Sequence, residues 1–89
     1  MELKYVGANY YGCYYKIYND GTVYGRRKKL TPRIDEDGYL VVTLGDTKHR
    51  RGIRVHRLVA EHFVPNPNNL PEVNHIDYDR TNPSADNLE

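Results

Sequence analysis

The sequence predicts an α+β fold, with an antiparallel β meander first, one short helix after it, and a turn-rich C-terminal segment. Three observations predict it. Aromatic and β-branched runs alternate with Asn-Asp-Gly and Gly-Asp turn chemistry over the first two thirds of the chain. The hydrophobic period then changes once, after Val55, from strand-like to helical. Finally, 89 residues leave room for one small domain.

Taken in order, residues 1–13 carry Gly7, Gly12 and the Tyr10-Tyr11 pair and read as irregular. Tyr14-Tyr15-Lys16-Ile17-Tyr18 reads as a strand, and Asn19-Asp20-Gly21 as a hairpin turn in which glycine supplies a positive φ. Thr22-Val23-Tyr24 returns as the partner strand, followed by the basic run Arg26-Arg27-Lys28-Lys29. Pro32 to Asp37 reads as a polar connection closed by Gly38. Tyr39 to Leu44 is the clearest strand, Gly45 to Lys48 a turn, and His49 to Val55 its partner strand. Leu58, Val59, His62 and Phe63 then share one face of a helix over about residues 56–63, which Pro65 stops. The stretch 65–71 is proline-rich and extended, 72–77 reads as a short strand, and 78–89 is polar. Two regions follow, a basic β-rich module over 1–55 and a second unit over 56–89, packed as one compact body.

Composition excludes several classes. No stretch approaches the ~20 apolar residues of a membrane span, and Met1-Glu2-Leu3-Lys4-Tyr5 lacks the apolar run of a signal peptide. Cys13 is the lone cysteine, which excludes an internal disulfide and a zinc site built on two thiolates. The lone serine, Ser84, lies in a polar loop and argues against a serine hydrolase. The chain reads as a reduced, cytoplasmic domain with no membrane partner. Its net charge of +1 conceals an asymmetry. Residues 1–57 hold twelve Lys and Arg against six acids, whereas 58–89 hold one Arg against six acids. A front end at +6 suits a polyanion, although a merely solvated basic surface has the same composition.

Asn74-His75-Ile76-Asp77 sets an imidazole between oxygen donors, with Asn82 and Asn87 downstream. An imidazole titrating near ~6.5 can take a proton from water, and amide or carboxylate oxygens suit a hard cation. The same residues would equally cap the turns of a loop. His49 reads as exposed, His56 and His62 as structural, and Cys13 as a packing residue.

The segment Asn74-His75-Ile76-Asp77, with Asn82 and Asn87-Leu88-Glu89 in register, resembles the HNH endonucleases of phages and mobile introns. His56-Arg57-Leu58-Val59-Ala60-Glu61 and Phe63-Val64-Pro65-Asn66-Pro67 resemble that family's lead-in. Tyr15 to Tyr24 resembles the small module often fused before the nuclease motif. The resemblance covers about residues 14–89. It implies a partial ββα-metal motif at the C-terminus and cleavage of DNA strands by metal-assisted hydrolysis. His75 would be the general base, and Asn87 would hold the loop that aims it. Asn74 would stand at a metal-ligand position, and the metal would be a divalent cation, Mg²⁺ or Mn²⁺, with no other cofactor. Double-stranded DNA would be the partner, met by Arg26, Arg27, Lys28, Lys29, Lys48, Arg50, Arg51 and Arg54. The other reading from these residues is a non-catalytic DNA-binding module. The sequence departs from the family at Tyr78, where glycine is usual, at Asp79 and at Pro83. A tyrosine resists the positive φ that glycine takes freely, so a different turn is expected there. The family's pattern also continues past Asn-Leu-Glu into a strand and a helix that brings the last ligand, so the chain reads as one cut short at Glu89.

Overall fold

The computed structural model describes residues 2–46, 48–64 and 75–88. Among these residues, six strands form two three-stranded antiparallel sheets. The first sheet orders β1 (Tyr5–Tyr10), β2 (Cys13–Tyr18) and β3 (Val23–Tyr24), and the second orders β4 (Arg33–Ile34), β5 (Leu40–Leu44) and β6 (Arg51–Arg54). The helix α1 (Val55–Phe63) leaves β6 without a connecting residue, and a single 3-10 turn forms at Ala85–Asn87. The α+β expectation is met.

Where the sequence reads as irregular, β1 is a strand. It pairs with β2 from Tyr5↔Tyr18 to Tyr10↔Cys13, so cross-strand bonding rather than local propensity extends it. Tyr11 and Gly12 make the connection at φ 54 and 81, the left-handed pair that matches strand twist in a two-residue hairpin. A tyrosine in the first of those positions hides the signal. Similarly, β4 lies inside the expected connection 32–37 and is extended by pairing with Val41 and Leu40. The strand expected over 72–77 falls partly on residues outside those described. From His75 onward it is only a bridge to Leu88, after which the chain turns, with the Tyr78 N–H donating to the His75 carbonyl at 3.1 Å.

The expectation that Tyr78 would avoid the left-handed region is corrected, since its φ is 61. The Asp77 carboxylate accepts the Asp79 N–H at 2.8 Å and holds the backbone around it. The Tyr78 ring is 92% exposed and meets no packing conflict.

Period-two alternation turns Tyr15, Ile17 and Val23 inward from the first sheet, while Val42 and Leu44 face in from β5. On α1 the buried stripe is Val55, Leu58 and Val59, and Arg57 and Glu61 face out. The helix closes at Val64, whose φ of −107 and ψ of 116 are the extended values expected before Pro65. Leu88 joins the same cluster, so residues on both sides of position 55 meet in one core. Polar ties reinforce it. The Tyr15 hydroxyl accepts the Gly45 N–H at 2.8 Å, and the buried Asn19 accepts the Lys4 N–H, donates to the Glu2 carbonyl, and takes the Ala85 N–H on its own carbonyl. Among the described residues no helix is long and apolar enough to cross a membrane.

Candidate active site and basic face

His75 is 7% exposed, and its Nε2 is buried with no hydrogen-bond partner among the described residues. Two elements fix its segment, the bridge to Leu88 and the Ile76 N–H donating to the Asn87 carbonyl at 2.7 Å. The Asn87 side chain closes the loop. Its Nδ2 donates to Asp77 Oδ1 at 2.9 Å and to the Asn82 carbonyl at 3.0 Å, and its Oδ1 accepts the Asp77 N–H at 3.1 Å. Asn82 adds a bond to Asp77 Oδ2 at 3.1 Å. The Asp79 N–H foremost, then Asn82 and Asn87, hold the Asp77 carboxyl below its usual range. Of the expected site residues, His75 and Asn87 are thus brought together, and Asn74 lies outside the described residues.

Behind His75 stands a stack of rings. His56, 4% exposed, meets His75 edge-on at 4.8 Å between centroids, and Tyr39 lies 4.8 Å from His56 and 5.7 Å from His75. Two guanidinium groups cover Tyr39, Arg54 at 4.4 Å and Arg80 at 5.1 Å. Burial, and then the neighbouring charges of His75, Arg57 and Arg54, push the His56 imidazole down to about 4. Burial also lowers His75, against the pull of Asp77 and Asp79. Both shifts favour the neutral imidazole, the form that accepts a proton. Sequence reading takes Tyr39 only as the start of a strand. Its stacking depends on residues far apart in the chain, and no local pattern signals it.

The basic residues divide. Arg26 to Lys29 are exposed on a turn closed by the Gly25 N–H donating to the Lys28 carbonyl at 2.8 Å. Lys48, Arg50 and Arg51 are exposed on and beside the β5–β6 turn. Arg54, expected with them, instead holds Asp35 through Nε at 3.0 Å and Asp37 through Nη2 at 2.8 Å while covering Tyr39. Asp35 in turn accepts the Asp37 and Tyr39 N–H groups, and this bracket supports the ring stack. Arg33, which sequence reading does not single out, shares a shallow groove of about 310 Å³ with Lys28 and Lys29. Exposed His49 lies 3.6 Å from Asp46. His62 Nε2 sits 2.8 Å from the Tyr10 hydroxyl, which also donates to Glu61.

Among the described residues no three of His, Cys, Asp and Glu converge, and the nearby Asp77 carboxylate is taken up by its own loop.

No family model matches the chain. The uncharacterized HNH endonuclease L245 of Acanthamoeba polyphaga mimivirus is 47% identical over 77 residues, which is 84% of this chain and 23% of the viral protein. A solved structure concerned with DNA binding and cleavage by the HNH homing endonuclease I-HmuI is 35% identical. It superposes with a TM-score of 0.78 over 99% of this chain and 51% of the other. The chain therefore spans about a quarter of the viral relative and half of the solved one.

Proposed function

We infer that this chain, which shares its sequence and its fold with HNH endonucleases, supplies the DNA-contacting module and the histidine-bearing segment of an enzyme that hydrolyses DNA phosphodiester bonds. The observation that carries the reading is His75 itself, a buried imidazole whose Nε2 has no hydrogen-bond partner among the described residues, on a segment that Asn87 ties through Ile76 and Asp77. Such a ring can take the proton of a water attacking phosphorus, a role contributing ~10²- to 10⁴-fold. The ring stack of His56 and Tyr39 limits its swing. The exposed cations of Arg26 to Lys29, Lys48, Arg50 and Arg51 supply phosphate contacts to double-stranded DNA, giving affinity without sequence choice. A divalent cation, Mg²⁺ or Mn²⁺, belongs to this reading through the resemblance, with Asn74 at the ligand position.

The test is plasmid cleavage by the intact protein at low salt, with Mg²⁺ or Mn²⁺ supplied in turn. His75→Ala is expected to lose ~10²- to 10⁴-fold of the rate and to bind duplex DNA as the wild type does. Asn87→Ala is expected to lose less, because it acts through the loop. Cleavage by His75→Ala at the wild-type rate would remove the histidine from the chemistry. The second reading is a DNA-binding module without catalysis. Tight duplex binding with no cleavage under either metal would select it.

A further inference from the structure

A groove of about 630 Å³ lies at one end of the first sheet, between the β1–β2 turn at Gly12 and the basic turn at Gly25. One wall carries Tyr14, 49% exposed. Its ring is seated by a glycine, since a Cβ on Gly7 would come within 2.1 Å of the Tyr14 hydroxyl and 2.7 Å of Cζ. A side chain at position 7 would push the ring aside from where it lies across β1. Asn9, the cross-strand partner of Tyr14, adds an amide. The other wall presents Arg26, Arg27 and Lys28, and among the described residues no acid lines the groove.

We propose that this groove seats an unpaired nucleotide of single-stranded nucleic acid, its base against Tyr14 and its phosphates on the basic turn. The volume is that of a small-ligand cleft, for which ~300–1,000 Å³ is usual. A flat aromatic face suits any exposed base, whereas paired bases in a duplex hide theirs. The amide of Asn9 can bond a base edge, and cations without competing acids suit phosphates. The proposal rests on the reading that the Arg26–Lys29 turn contacts phosphates and adds a ligand class to it. It does not depend on His75.

The experiment is fluorescence anisotropy of the intact protein, free of divalent metal, with a short labelled oligothymidylate and with a duplex of the same length. Tyr14→Ala is expected to weaken single-strand binding about tenfold and to change duplex binding less than about twofold. Tyr14→Phe keeps the ring and should bind as the wild type. Tyr14→Leu keeps the bulk without the aromatic face and should match Tyr14→Ala, which separates stacking from support of the sheet. Equal losses for both probes, or no loss for either, would overturn the nucleotide seat. Neutralising Arg26, Arg27 and Lys28 together tests the reading beneath it. If duplex affinity is unchanged, the basic turn is not a phosphate contact and both ideas fall. If duplex affinity drops while Tyr14→Ala does nothing, the seat alone is lost.

Discussion

At the scale of single residues, Tyr78 holds a left-handed backbone, φ 61, with its ring almost wholly in solvent. That conformation costs a non-glycine residue about 1–2 kcal/mol, and the exposed ring returns little by packing. Tyr78→Gly removes the strain but loosens the unfolded chain by about 0.4–1 kcal/mol. A net gain of up to about 1 kcal/mol is expected by chemical denaturation, and a clear loss of stability would show that the ring does more than its exposure suggests. His56 gives a prediction of the opposite kind, through pH. Burial foremost, then His75, Arg57 and Arg54, hold it at about 4 in the folded state, against ~6.5 in the unfolded chain. Between those values the unfolded state carries the extra proton. The stability from neutral His56 is therefore fully present above about pH 6.5 and is lost progressively as pH falls toward 4, by up to about 3 kcal/mol. Urea unfolding from pH 7 to 4.5 should show the decline, and His56→Phe should flatten it. An unaltered pH slope in that variant would mean the ring is not the group being titrated. His75 and Asn87 enter as a pair through the resemblance, which rests on a motif confined to one short segment. The packing of Arg54, Tyr39 and His56 is not legible in the sequence, because side chains far apart in the chain meet only after the sheet and helix have packed.

At the scale of elements, the Asn19-Asp20-Gly21 hairpin was legible, since its turn chemistry is local, and Asp20 caps it by accepting the Thr22 N–H at 2.8 Å. Its second use was not. Gly21 has φ +97, and a Cβ there would stand 2.3 Å from Pro83 Cγ, so the hairpin is also the surface on which the C-terminal loop sits. Beside it, the Asn19 carbonyl accepts the Ala85 N–H at 2.7 Å. The glycine is required twice over, once for the turn and once for the approach of proline. Gly21→Ala is accordingly expected to cost about 1–3 kcal/mol. Pro83→Ala in the same chain should recover the part due to the clash and leave the backbone part, a coupling read from the double-mutant cycle. Strict additivity would deny the contact. The strand β1 is hidden from a sequence reading for a related reason. Tyr11 stands where the hairpin needs a left-handed residue and glycine or asparagine would have announced it, so the pairing with β2, which no local pattern carries, is what reveals the strand.

At the scale of the whole molecule, the charge asymmetry was plain in the sequence, but the division of labour among the cations was not. Twelve Lys and Arg precede position 58, and composition treats them alike. The fold separates them. Arg26 to Lys29 and the cations about the β5–β6 turn stand in solvent, whereas Arg54 is held by Asp35 and Asp37 over the ring of Tyr39. An arginine already paired with two carboxylates brings little net charge to a phosphate. Its removal leaves two acids unpaired and uncovers Tyr39. Salt dependence distinguishes the two kinds, because each phosphate contact adds about 0.9 to the slope of log affinity against log salt on duplex DNA. Neutralising Arg26, Arg27, Lys28 and Lys29 together should therefore flatten the slope by up to about 3–4 and leave thermal stability near that of the wild type. Arg54→Ala should do the reverse, lowering the unfolding midpoint while the slope changes little. Anisotropy over a salt series, paired with thermal melts of the same variants, makes the comparison. If Arg54→Ala flattens the slope as much as one exposed arginine does, the ion pairs to Asp35 and Asp37 open when DNA binds. Arg54 would then belong to the binding face, and the acids beneath it would hold it ready for the phosphate rather than withhold it.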